Sequence, residues 1–403
     1  MQKQTGKSIN LTDIWIIVYL ISIYVFAITT GETYISKLAS LPMLAALLIY
    51  VFAHEHRVVF SSFEKGFILF ILVCFCSCFW AQNFDYAFSK VFTLFQIFVF
   101  MILIHTYVKQ ENKQYILVWG VCIGGVALAL YTLYYYGFSA YLQAALSGYR
   151  MGADLANVNT IGNLELFPII ILFWCIYYRH KWIAIIPMGI CLIVALGTGS
   201  RKVVACIMVG ILLLYLLKGQ GLKKLRSILF AVLAVIALYM IVQLPGLEAL
   251  KTEVDSLVNL ITRQNSLSNS DMHRMELISL GFNTFFDSPI WGVGIGNTRN
   301  IVLSNMGFDY YLHNNYLEIL ASVGLLGAMP YFYLWLYPIK KHLRNLRIQN
   351  DITPLIVSIL LTALVLQIGQ VIYYDKVSYF LLLLSFVSLE STDLDLGENT
   401  VEL

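Results

Sequence analysis

"HNNYLEILASVGLLGAMPYFYLWLYPIKKHLRNLR", residues 313–347, decides the fold. Three polar residues precede an apolar run at 316–338, and a basic block follows it. A helix that crosses a bilayer needs about 20 apolar residues, and this run is long enough. Asn315 with Glu318 three residues on, ahead of an apolar run, is a helix-start signal of the capping-box kind. "KKHLRNLR" (340–347) marks a cytoplasmic end, because Lys and Arg gather on that side of membrane proteins. The stretch therefore reads as a membrane helix running inward, with His313 at its outer mouth.

The whole chain agrees with that helix. It is 59% hydrophobic and 12% charged, with a mean hydropathy of +0.77. Soluble domains carry about twice that share of charge. The fold class is all-α and polytopic, a single membrane domain over 1–403. Apolar runs fall near 11–30, 36–53, 66–80, 88–107, 115–136, 164–179, 182–198, 202–217, 226–244, 316–338, 353–373 and 377–389. That predicts about twelve spans of bilayer length, with both termini on one side. "KGQGLKKLR" (218–226) and "KKHLRNLR" bracket the long stretch 245–315. With both blocks cytoplasmic, 245–315 is a large extracytoplasmic loop and both termini face the cytoplasm. The acidic tail at 390–403 is expected to be a disordered cytoplasmic segment. The start, "MQKQTGKSINLTDIW", has no small-residue cleavage site before the first apolar run, so no signal peptide is expected. A net charge of +3 is too small to suggest nucleic acid. All seven cysteines lie in apolar runs without a CxxC pair and read as small apolar residues.

Two outer segments are long, 137–163 and 245–315. In the second, Leu250, Val254, Leu257, Val258 and Ile261 fall at helical spacing, as do Met275, Ile278, Phe282 and Phe285. Both sets predict amphipathic helices on the outer membrane surface or over a cavity, and Pro289 stops the second. "WGVGIGN" (291–297) is not a dinucleotide fingerprint; it reads as a turn that brings backbone close to its neighbours.

This topology leaves only His273 and His313 of the seven histidines outside. Beside them, Arg201 and Lys202 close a hairpin in "LGTGSRKVV", Arg274 opens the second amphipathic helix, and Arg150 lies in the other long loop. Arginines on the outer face run against the positive-inside tendency, and guanidinium forks suit phosphate oxygens. Arg201 also reads as a headgroup anchor and Arg274 as a solvated charge. Asn159, with Asn157, either binds sugar hydroxyls or shapes a turn. No tight carboxylate cluster stands outside, since Asp154, Asp255, Asp271, Asp287 and Asp309 are scattered, which is compatible with chemistry that uses no metal; no cofactor is expected either.

"TGSRKVV", "HRMEL…FFDSPIWGVGIGN" and "HNNYLEILASVGLLG", in that order, resemble the O-antigen ligase and polysaccharide polymerase family of bacterial membrane glycosyltransferases. The resemblance covers about residues 150–340. It implies a GT-C-like helical fold in the inner membrane. It also implies a glycan donor carried on undecaprenyl diphosphate, transferred at the outer face to a glycan or lipid-linked acceptor without a metal ion. Arg201 and Arg274 would then bind the donor diphosphate, with Arg150, Asn159 and Lys202 as further contacts. His313 would contact or deprotonate the acceptor, which makes it the catalytic candidate. The expected activity is polymerisation of lipid-linked repeat units into O-antigen or capsule, with a chain-length regulator as a possible partner. The alternatives are a ligase that moves finished glycan onto lipid A–core, a flippase for lipid-linked oligosaccharide, and a membrane sensor or scaffold. A transporter would carry ionisable groups or broken helices near the midplane; here Gln96, Gln367 and Gln370 are the polar groups noted in the spans.

Overall fold

The structure, a computed structural model, describes residues 9–27, 29, 33–53, 57–147, 149–218, 269–346 and 352–401. Among the described residues every regular element is a helix. Helices stand at each apolar run predicted above except 226–244, which lies outside the described residues together with the Leu250–Ile261 stripe. Six of the described helices are long and apolar enough to cross a membrane, which makes this a multi-pass membrane protein.

The chain forms two compact units, residues 1–59 with 103–200 and residues 60–102 with 201–403. The first holds α1 (Leu11–Val25), α2 (Thr33–Ala53), the end of α4 (Phe84–Gln110), α5 (Tyr115–Tyr136), α6 (Phe138–Ser147), α7 (Val158–Tyr177) and α8 (Ile185–Gly197). Asn10 and Asp13 start α1 with a reciprocal capping box, and Lys113 Nζ lies 2.8 Å from the Asp13 carboxylate. Small residues let these helices approach: Gly120 and Gly124 of α5 lie against Leu20 and Tyr24 of α1, and Gly125 against Pro168 of α7. Buried in α7 are Asn163, 8% exposed, and Glu165, fully buried. The spans therefore hold more polar groups than Gln96, Gln367 and Gln370.

The second unit holds α3 (Ser62–Ser77), the first part of α4, α9 (Arg201–Leu217), α10 (Asn269–Asp287), α11 (Thr298–Met306), α12 (Asn315–Asn345), α13 (Ile352–Leu366) and α14 (Lys376–Val401). The last of these carries helix into the acidic segment read as a tail. α12, the helix of the opening stretch, is broken at Gly324, whose φ is 60° and ψ −164°. The break frees backbone groups that the bilayer cannot satisfy. The glycine-rich turn satisfies them: Val293 and Gly294 N–H groups donate to the carbonyls of Ala321 and Ser322 at 2.9 and 2.8 Å. In return, Leu325 N–H donates to Pro289 O at 2.9 Å. The approach is so close that a Cβ on Gly292 would sit 2.4 Å from the Ser322 carbonyl. "WGVGIGN" is thus the close-approach turn the sequence suggests.

α10 ends at Asp287, ahead of Pro289. Its buried side differs from the predicted stripe. Leu277 packs with Val302, Leu312, Leu317 and Ala321, while Met275 and Phe282 are 57% and 46% exposed. Of the stripe, Ile278 packs against this core while Met275 and Phe282 face outward.

At one end of this unit the connections meet. Trp80 Nε1 donates to Gly292 O at 3.1 Å, Asn83 N–H to Asn297 Oδ1 at 2.7 Å, and Asn315 N–H to Gln367 O at 2.9 Å. The topology read from the sequence puts these connections on one side of the membrane, and here they share one end.

Candidate functional site

His313 stands at that end on an over-determined mount. The helix cap is Asn314, not Asn315: its Oδ1 accepts the Leu317 N–H at 3.1 Å. Glu318 reaches back past the cap, accepting the Leu312 N–H at 3.0 Å and the Thr298 hydroxyl at 2.5 Å. Leu312, 2% exposed, is anchored in the Leu277 core. With residues 312 and 314 both pinned, His313 takes a left-handed backbone with φ 55°. A non-glycine residue there stores on the order of 1–3 kcal/mol of strain, and such strain gathers where a side chain must be aimed.

Asn315 does different work from the cap predicted for it. Fully buried, it donates to Tyr331 Oη (2.9 Å) and Gln367 Oε1 (2.8 Å) and accepts the N–H groups of Ile372 and Tyr373 at 2.9 and 3.1 Å. All of its amide capacity is used. It ties the 367–375 loop to the backbone that carries His313. The same loop binds Lys202, whose Nζ donates to Gly369 O at 2.9 Å and Gln370 Oε1 at 3.0 Å. Gln367 and Gln370 stood out as polar in an apolar run; their position after the helix, rather than inside it, was the unread signal.

The electrostatics follow from this placement. The His313 ring lies between Tyr310 and Tyr311, with centroids 4.6 and 4.4 Å away. Burial, then the charges of Arg274 and Lys202, pull its pKa from 6.5 to about 4. The imidazole is neutral at pH 7. The two cations that act on it stand near helix starts: Lys202 is the second residue of α9, behind Arg201, and Arg274 lies in the second turn of α10. Cations at a helix start oppose the helix dipole. Positive charge near helix N-termini favours an anion with several oxygens.

Residues 186–332 match the family model described as O-antigen ligase. Over this stretch, a little more than a third of the chain, the protein is similar to the O-antigen ligase family. No curated protein matches the chain. The O-antigen ligase stretch takes in Arg201, Lys202, Arg274 and His313 and ends inside α12, past the break at Gly324. Arg150, Asn159 and the 367–375 loop fall outside it.

Of the sequence candidates, Lys202 and Arg274 lie within electrostatic reach of His313 in the second unit. Arg201 is half-buried at the first position of α9. Arg150 and Asn159 pair in the first unit, Nη2 to Oδ1 at 3.1 Å, and Arg150 Nε also donates to Thr198 O at 3.3 Å. Asn157 caps α7, so the turn-shaping role falls to it. His273 is 61% exposed beside Glu276 at 3.4 Å. Asp309 pairs with Arg299 at 2.7 Å. Among the described residues no three His, Cys, Asp or Glu side chains group as metal ligands.

Proposed function

We propose that this protein polymerises oligosaccharide repeat units carried on undecaprenyl diphosphate, at the outer face of the bacterial inner membrane, into a surface polysaccharide. The carrying observation is the His313–Arg274–Lys202 cluster inside the O-antigen ligase stretch. The reading includes a GT-C-like bundle of about twelve spans with both termini cytoplasmic, of which 245–315 forms the outer loop.

In this reading Arg201, Arg274 and Lys202 hold the donor diphosphate and neutralise the charge that grows as it leaves. The acceptor hydroxyl oxygen bonds to the anomeric carbon, the anomeric C–O bond to the diphosphate breaks, and the hydroxyl proton passes to neutral His313. No metal is assigned a part. The donor also tunes its own base. A diphosphate between Arg274 and Lys202 offsets the two charges that depress His313 and raises its pKa toward neutrality.

That coupling has a signature in the pH profile. The acid limb of kcat/KM, which reports the free enzyme, should fall near pH 4, and the limb of kcat, which reports the complex, at higher pH. Activity is lost as pH drops through each limb because protonated imidazole cannot accept the proton. Coincident limbs would remove the donor from the electrostatics of His313.

Arg274→Lys and Arg201→Lys test the diphosphate contact. Lysine keeps the charge but not the two-pronged geometry. Each should lower transfer about ten- to a thousandfold at matched protein level, within the range for losing one transition-state donor. Wild-type rates in both would make these arginines headgroup anchors.

Transfer of finished glycan to lipid A–core is the second reading, favoured by the description of the family that matches. A flippase gains buried Glu165 and the α12 break as transporter-like features. The break, however, is closed by the N–H groups of Val293 and Gly294, which leaves those carbonyls engaged instead of facing an ion.

A further inference from the structure

Beyond the cluster at His313, the second unit holds a set of side chains that the transfer chemistry does not use. Lys90 Nζ lies 3.7 Å from the centre of the Tyr374 ring and 5.2 Å from that of Tyr86. Arg299 is fixed at the far side of Tyr86, donating from Nη1 to its hydroxyl at 2.8 Å and from Nε to Asp309 at 2.7 Å. The Asp309 side chain is 60% exposed and that of Arg299 31%. Gly296 makes room, since a Cβ there would meet the Tyr86 ring at 2.8 Å.

The position of the set matters as much as its content. Tyr373 is bonded to Asn315 and meets Tyr374 edge-on at 4.8 Å. Tyr374 lies within electrostatic reach of Tyr311, which stands against His313 at 4.4 Å. A run of rings thus leads from the transfer centre to the Arg299–Asp309 pair. The charge changes along it. Cations dominate around His313, whereas Lys90 and Arg299 are balanced by Asp309 and by Glu318, which both cations reach. A charge-balanced patch has no excess attraction for a diphosphate.

We infer that Tyr86, Tyr374, Arg299 and Asp309 form a saccharide subsite beside His313, made for uncharged pyranose units of the glycan. This inference rests on the proposed transfer of a lipid-linked glycan. The apolar C–H face of a pyranose stacks on a tyrosine ring, whose negative face favours it. An arginine–carboxylate pair presents donors and acceptors together, which suits adjacent sugar hydroxyls. Lys90 packs on one face of Tyr374 by cation–π contact and holds that ring in place. Diphosphate recognition and glycan recognition then fall on different residues of one centre.

The test uses the full chain in lipid nanodiscs and two probes, a polyprenyl diphosphate bearing the repeat-unit glycan and the same lipid diphosphate without sugar. Tyr374→Ala and Asp309→Asn should each weaken binding of the glycan-bearing lipid about three- to tenfold, the size of one aromatic or polar contact. Binding of the bare lipid diphosphate should stay at the wild-type level, and Tyr374→Phe, which keeps the ring, should bind both as wild type does. Unchanged affinity for the glycan-bearing lipid in Tyr374→Ala and Asp309→Asn overturns the subsite, as does an equal loss for both probes. Failure of the underlying reading looks different: wild-type protein would bind the bare diphosphate no better than a polyprenyl alcohol.

Discussion

His313→Ala should cut polysaccharide formation about a hundred- to ten-thousandfold, the range for removing a general base, while leaving the protein at its normal level. The side chain is placed by contacts that do not depend on it. Leu312 is held by Glu318 and Asn314 by Leu317, so the mount survives the substitution. His313→Asn separates the roles. Asparagine tolerates the left-handed backbone and keeps a polar group, but it cannot take a proton. His313→Asn should be as defective as alanine. Wild-type output from His313→Asn would reduce the residue to orienting the acceptor. His273→Ala is the companion measurement, because that ring is exposed, beside Glu276 and the edge of Phe308; its effect should be small.

Gly324→Ala should prevent the second unit from folding. Two penalties coincide at this position. The backbone at φ 60°, ψ −164° belongs almost entirely to glycine, and the new Cβ would lie 2.2 Å from the Ile290 carbonyl oxygen. Relief would pull the 289–294 turn off the break and leave the Ala321 and Ser322 carbonyls unpaired in a membrane helix. The loss should exceed about 4 kcal/mol, which most proteins cannot absorb. The readouts are yield, size-exclusion profile and thermal unfolding in detergent. Gly189→Ala in α8, where a Cβ meets nothing within 4 Å, serves as the neutral control. A Gly324→Ala protein that elutes and melts like wild type would contradict the broken-helix geometry.

Both predictions start from features the sequence displayed unequally. The apolar runs at 115–136 and 202–217 became α5 and α9 almost residue for residue, because burial in lipid writes composition directly into helix length. The cap was read one residue late. Asn314 and Asn315 have the same chemistry, and only tertiary contact with Tyr331, Gln367 and the 372–373 backbone decides which one turns inward. The break at Gly324 left no trace in hydropathy, because the residues on both sides are apolar. The pairing of its carbonyls with a turn some thirty residues earlier is a tertiary fact. Of the site, the residue types were legible and the neighbourhood was not. Arg274 and His313 lie on the stretch read as one outer loop, but Gln370, which holds Lys202, sat at the end of an apparent span. The helix at Met275–Phe285 was legible from its spacing, but the core contact of Leu277 was not, because that residue lies beside the periodic stripe.

The central claim is glycosyl transfer between lipid-linked glycans at the His313 cluster. Its most direct measurement is the reaction itself: purified full-length protein in liposomes, supplied only with purified lipid-linked repeat units, with chelator present, and products resolved by chain length. The expected product is a ladder of lengthening glycan with release of lipid diphosphate, absent in His313→Ala. Glycan transfer that appears only when lipid A–core is added, a ladder abolished by chelator, or lipid-linked glycan that changes leaflet without forming any new bond would contradict it.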